Sequence, residues 1–163
     1  MVTSKNIHAL RLQIIGAIVL ICVQSGLGMF VNLFVSIPHR HSGSQPSDFF
    51  TGSLHSLAWA IAHGAVTLYI HTLLGLLLAV MVIGMVARAL SLGRRSLTAW
   101  IVLGSLFTIG AGFNGASFLD YNKGVSSFIM TVLALAALLC FMVVVYLPWE
   151  TKATATNESP HPS

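Results

Sequence analysis

Charge divides this chain into long apolar stretches. Between its Lys, Arg, Asp and Glu residues run four uncharged segments, Leu12–His39, Phe49–Ala87, Ser96–Leu119 and Gly124–Trp149, which are 28, 39, 24 and 26 residues long. A helix needs about 20 predominantly apolar residues to cross a hydrocarbon core of about 30 Å, so each segment is long enough to span a bilayer. Within lipid every backbone N–H and C=O must be paired internally, which restricts spanning structures to helices and closed barrels. The apolar runs here are continuous, whereas barrel strands alternate. The pattern predicts an all-α fold, an integral membrane four-helix transmembrane bundle, with helices at about 12–35, 64–87, 97–118 and 125–147.

The second uncharged segment exceeds what one crossing needs. In it Phe50, Leu54, Leu57 and Ile61 recur at helical spacing, with Ser53, Ser56 and His63 on another side. This predicts either an amphipathic collar within an outer loop at 38–63 or an outward extension of the second span. Residues 1–11 are read as a cytoplasmic N-terminal segment. Residues 148–163, polar and Pro-containing, are read as a disordered cytoplasmic tail. The sequence shows no internal repeat, and no soluble domain fits between the spans.

Composition agrees, with 56% hydrophobic residues and a mean hydropathy of +0.87. A soluble domain of that balance would expose large apolar patches. The net charge of +4 reads as topology rather than as a nucleic-acid signal. Lys5, Arg11, Arg88, Arg94, Arg95 and Lys152 fall on one side of the spans, against Arg40 and Lys123 on the other. The positive-inside rule then places both termini and the middle loop in the cytoplasm, N-in and C-in, for a multi-pass protein of the cell membrane. So compact a chain suits a bacterial inner membrane. The first span has a basic start, but its apolar stretch is too long for a signal peptide and no small-residue cleavage site stands near Ser36–Pro38, so it is read as a retained helix. Cys22 and Cys140 fall inside spans without a CxxC pattern and are expected to be buried free thiols.

Polar residues inside the spans carry the functional signal, because they are costly there and usually face the bundle interior. They are Gln24 and Asn32 in the first span, His71 in the second, Asn114 in the third with Asp120, Tyr121 and Asn122 at its boundary, and Ser126, Ser127 and Thr131 in the fourth. With the derived topology nearly all lie in the outward half, whereas Leu76–Val86 and Val132–Val145 are almost purely apolar. Two readings stay open. The polar groups either fix helix register through interhelical hydrogen bonds or line an outward pocket formed by His71, Gly75, Asn32, Asn114 and Ser127.

Neutral imidazole is the commonest haem and metal ligand, which makes His71 the candidate for an iron. Gly75 and Gly64 share its helical face and leave room for a flat macrocycle or for a neighbouring helix. His63 lies eight residues away, about 12 Å of helix rise, and does not join it in one metal site. Gly104, Thr108 and Gly112, with Ala111 and Gly115, place small residues at spacing four, a pattern for close helix packing. His39 and His41 flank Arg40 in a Ser/Gly/Pro-rich loop and read as solvated. No nucleophile–base pair, phosphate loop or carboxylate pair supports a hydrolase or a kinase, and catalysis as such stays undecided.

The stretch Leu68-Tyr-Ile-His71-Thr-Leu-Leu-Gly75-Leu-Leu resembles the second helix of one half of haem A synthases, which are built from two similar four-helix bundles. Val23-Gln24-Ser25-Gly26-Leu27-Gly28 resembles the Gln-x-x-Leu-Gly segment of their first helix. The resemblance spans about Leu12–Leu147 as one half-unit and implies haem bound through His71. The sequence departs from the family in two places. Ser126 or Ser127 stands where a histidine is expected near the start of the fourth helix, and no carboxylate precedes His71 between Asp48 and Asp120. The resemblance therefore implies neither a bis-histidine haem pair nor hydroxylation chemistry. His71 is at most a single axial ligand, or one of two across a homodimer. Three readings follow: a haem-binding or redox-associated membrane protein, a colourless bundle for a small apolar or quinone-like molecule, and an accessory or assembly subunit whose third-helix glycine face meets a partner in a larger membrane complex.

Overall fold

The computed structural model describes residues 4–148. The chain forms five helices: α1 (Ser4–Phe34), α2 (Phe49–His63), α3 (Val66–Leu92), α4 (Arg95–Tyr121) and α5 (Gly124–Tyr146). Of these, α1, α3, α4 and α5 are long and apolar enough to cross a membrane. The fold is all-α, a bundle of four spans with one short additional helix. Three spans run further than the charge pattern predicts: α1 begins at Ser4, α3 ends at Leu92 and α4 occupies Arg95–Tyr121. Charges mark where hydrocarbon stops, whereas the hydrogen-bond ladder of a helix continues into the interface. The expected tail lies outside the described residues except for Pro148.

The connections between spans are tight. Gly93 closes α3 with φ 66°, its N–H donating to the Leu90 carbonyl. Asn122 closes α4 with φ 50°, its N–H donating to Phe118. These are left-handed positions, which Gly and Asn adopt at least cost. Only Gly64 and Ala65 separate α2 from α3, so the collar is a helix in its own right and not an extension of a span. Gly64 accordingly caps α2 and does not share the His71 face that continuous helical spacing had assigned to it.

Helix α1 packs against α3 and α5, and α4 packs against the same two, so the spans form a four-sided ring; α2 lies over the ends of α3 and α4. Arg94 Nη2 donates to the Pro148 carbonyl, which places the α3–α4 turn and the end of α5 together. This end also carries Arg11, Arg88 and Arg95 and is called the basic end below; α2 marks the opposite, collar end.

Packing is concentrated in the basic half. Leu10, Ile14, Met85, Ile101, Phe141 and Val144 are fully buried there in one cluster. At its centre α4 and α5 meet across Gly104, where a Cβ would lie 2.7 Å from Phe141 Cε1 and 3.1 Å from Cys140 Cβ. The small-residue pattern of α4 thus works inside the chain at Gly104. At Gly112 a Cβ would meet nothing within 4 Å. Cys140 is buried but Cys22 is exposed, a correction to the expectation for both thiols. The buried stripe of α1 runs through Leu10, Ile14, Ala17 and Ile21, and Cys22, one residue on, is turned about 100° away towards lipid.

The collar helix turns its small residues inward. Gly52, Ser53, Ser56 and Ala60 are buried, while Phe50 and Leu54 are about two-thirds exposed. This polarity suits a helix lying on a membrane surface, with close contact to protein on one side and apolar side chains offered to lipid on the other. Its first turn is held by Asp48, whose Oδ2 accepts from Thr51 N at 2.8 Å. Hydrogen bonds from the Thr51 side chain and backbone hold this exposed carboxyl below its usual range. A depressed folded pKa means that the cap contributes fully above the ordinary aspartate pKa of about 3.9 and is lost as pH falls through the lower folded value. Asp48→Ala should therefore speed amide exchange at residues 51–54 at neutral pH, and acidification of the parent protein below that range should reproduce the effect.

Candidate functional site

Between the basic-half core and a smaller cluster under the collar, formed by Val31, Ala60, Leu68 and Leu119, the helices frame a partly open cavity of about 780 Å³. All five helices contribute to its wall. His71, Gly75, Asn32 and Ser127 line it. Asn114 does not: its Nδ2 donates to the Gly110 carbonyl of its own helix at 2.9 Å. The wall also contains Gln24, Gly28, Thr72 and Thr108, and a roof of Phe50, Ser53 and Leu54 from α2. Of these, Gln24 was signalled as a polar residue inside the first span, and Gly28 only by the stretch Val23–Gly28 that resembles the first helix of haem A synthases. The roof had no such signal, because it depends on how α2 folds back.

His71 and Gln24 interlock across α1 and α3. Gln24 Nε2 donates to the His71 carbonyl at 2.8 Å and lies 3.5 Å from His71 Nε2. Each side chain occupies the space left by a glycine on the facing helix. A Cβ on Gly28 would come within 3.0 Å of His71 Cε1, and a Cβ on Gly75 within 3.0 Å of Gln24 Nε2. The short bond to a carbonyl fixes the Gln24 amide as donor at that end. Its remaining N–H is directed at His71 Nε2 across a long 3.5 Å contact, an arrangement that matches the tautomer with its proton on Nδ1. That Nδ1 and the Gln24 Oε1 are both buried without a hydrogen-bond partner among the described residues. A buried polar group left unpaired costs about 1–3 kcal/mol, and two of them at a cavity wall point to a missing partner.

Other hydroxyls in the wall are engaged locally. Ser25 donates to Ile21 O, Thr108 to Gly104 O and Thr131 to Ser127 O. Asn32, Thr72 and Ser127 line the cavity without such an internal bond from their side chains among the described residues.

The haem that the resemblance implies can be tested against this arrangement. His71 alone among the lining residues is ionisable, and no Lys, Arg, Asp or Glu faces the cavity. Its Nε2, the usual iron ligand, is turned to the Gln24 amide, and its Nδ1 is buried without a partner among the described residues. No cation lines the wall to meet the two carboxylates of a haem. The residues as arranged do not fit the group, and no chemistry through iron is derived from them. Among the described residues no three His, Cys, Asp or Glu side chains converge as a metal centre.

The collar end is bolted to the cavity wall. Asp120, 2% exposed, accepts from Ser53 Oγ at 2.8 Å through Oδ2, and its carbonyl accepts from Gln45 N at 2.9 Å. His41 Nε2 lies 3.1 Å from the Leu119 carbonyl, and the His41 ring stacks on Trp59 with centroids 4.4 Å apart. The loop histidine that reads as solvated in the sequence is thus a half-buried tie between loop, collar and α4. Asp120→Ala should remove one such tie, costing about 1–2 kcal/mol locally. Proteolysis within the 36–48 loop should accelerate, while unfolding of the four spans changes little.

No family model matches the chain, and no curated protein or solved structure matches it either.

Proposed function

We propose that this multi-pass membrane protein binds one neutral, mostly apolar ring compound bearing hydrogen-bonding oxygens, of the quinone type, in the cavity beneath the collar. The observation that carries the reading is a cavity wall without formal charge in which His71 Nδ1 and the Gln24 carbonyl oxygen stand unpaired among the described residues. Burying an ionised ligand against such a wall would cost several kcal/mol. A ligand oxygen that accepts from His71 Nδ1 would relieve one orphan after a small adjustment of the side chain, and a donor to Gln24 Oε1 is supplied by the hydroxyl of the quinol form, which the quinone lacks. Asn32, Thr72 and Ser127 would orient its other oxygens. The volume falls within the range of about 300–1,000 Å³ usual for small-molecule sites. With the basic end in the cytoplasm, the cavity and collar lie on the outer side of the cell membrane, so the ligand comes from that leaflet.

Purification in mild detergent, followed by solvent extraction and mass spectrometry, tests this reading. The expected result is a neutral amphiphile recovered with the parent protein, depleted in Gly28→Leu, from a preparation without a Soret band. A Soret band lost in His71→Ala would replace the reading with a haem protein.

A further inference from the structure

A second hollow lies beside the first. It is an apolar groove of about 380 Å³ on the α3–α4 seam, walled by Ile83, Val86 and Leu90 on one side and Val102, Leu106 and Ile109 on the other. Ile109 lines both the groove and the cavity, and on α3 the cavity's Ala79 lies about one turn from the groove's Ile83, so the two hollows are neighbours along the seam. On α3 the lining runs from Leu76 in the cavity to Leu90 in the groove, about 21 Å at 1.5 Å per residue. The one hydroxyl in the groove, Ser105 Oγ, is buried and directed at the Val82 carbonyl, leaving the surface hydrocarbon.

We propose that the ligand is an amphiphile whose ring sits in the cavity and whose hydrocarbon tail leaves past Ile109 to lie along the α3–α4 seam. This rests on the ring-binding reading above and adds to it the ligand's chemical class. Adjacency to the cavity selects the occupant: between the two hollows stand Ala79, Val82 and Ile109, so a tail attached to the bound ring meets only apolar side chains on its way to the seam. Lipid is as apolar as the seam, so the tail gains no hydrophobic free energy by entering it. It gains close packing and a fixed direction, and the ring keeps its place under the collar.

The test is photolabelling of the full chain in phosphatidylcholine nanodiscs. The probe is a dimethoxy-methyl-benzoquinone carrying a ten-carbon chain that ends in a diazirine. Adducts should concentrate at residues 82–90 and 102–109. They should be suppressed by excess tail-free benzoquinone, and should fall roughly fivefold or more in Val86→Trp, which fills the groove, while binding of the tail-free ring stays within about twofold. Leu106→Trp, at the exposed rim, serves if Val86→Trp folds poorly. Adducts spread over the lipid-facing sides of α1 and α5 with the ring bound would overturn the tail assignment and leave ring binding standing. Equal labelling of the seam by a diazirine alkanol without a ring would also overturn it, making the groove a site for ordinary acyl chains. Absence of saturable benzoquinone binding would overturn the ring-binding reading itself.

Discussion

Gly104→Leu should destabilise the bundle by about 3 kcal/mol, the upper part of the range for overpacking a close contact. A Cβ at this position already falls 2.7 Å from Phe141 Cε1 and 3.0 Å from Cδ1, and Phe141 is fully buried with no open space to turn into. The only relief is separation of α4 from α5 in the half of the molecule that holds nearly all the packing. In a bilayer that packing is the main attraction between spans, because lipid is as apolar as the residues it would replace. Gly112→Leu provides the internal control on the same helix. A Cβ there meets nothing within 4 Å and the position borders the cavity, and leucine favours helix over glycine by roughly 0.5–1 kcal/mol, so stability should hold or rise slightly. Unfolding in mixed micelles by increasing dodecyl sulfate would separate the two. Equal loss in both variants would mean that small size matters all along α4 and that the Gly104–Phe141 contact has no special weight.

Gly28→Leu should weaken ligand binding by roughly tenfold or more, equivalent to about 1.4 kcal/mol. The imidazole of His71 fills the space above Gly28 with Cε1 at 3.0 Å from the place of a Cβ. Leucine there must drive the ring out, and with it the interlock that presents Nδ1 and the Gln24 oxygen at the cavity wall. Gly28→Ala asks the ring to give by only a few tenths of an ångström and should produce a smaller loss. His71→Ala removes the unpaired donor but leaves the bond from Gln24 to the His71 backbone carbonyl; it should weaken binding by about 1 kcal/mol with little change in folding. Gly26→Leu, on the outward face with nothing within 4 Å, should leave both properties intact. If Gly28→Leu bound ligand as well as the parent, the His71–Gln24 pair would be a packing feature alone.

The spans were legible because charge is excluded from hydrocarbon, and a charge-poor sequence therefore records its own crossings. The depth of the site was legible for the same reason: polar residues tolerated in lipid gather where four helices share them, and four of the five candidates do line one cavity. Asn114 was not separable from the rest by sequence. An amide that bonds back to the carbonyl four residues before it has the same composition and spacing as one that faces a ligand. Gly28 and Gly75 were visible as small residues, but their pairing with His71 and Gln24 across two helices depends on the relative rotation of α1 and α3. The collar read as amphipathic, and its apolar stripe gave no sign that the small face would turn inward. That follows from Gly52, Ser53 and Ser56 meeting Pro46 and Gly43 of the preceding loop and Asp120 at the end of α4, contacts that depend on a loop path the sequence does not encode in any short pattern. Cys22 was expected to be buried because it falls inside a span, but position in a span does not set the face, and Cys22 lies one residue past the buried stripe of α1.

The central claim is that an uncharged cavity under the collar holds a neutral, oxygen-bearing ring. Equilibrium titration of tail-free dimethoxy-methyl-benzoquinone into the nanodisc-embedded protein, with the absorption spectrum recorded throughout, tests it most directly. The account predicts saturable binding at one site, weakened in Gly28→Leu and unchanged in Gly26→Leu, with no Soret band. Failure to saturate, or a Soret band that disappears in His71→Ala, would contradict it.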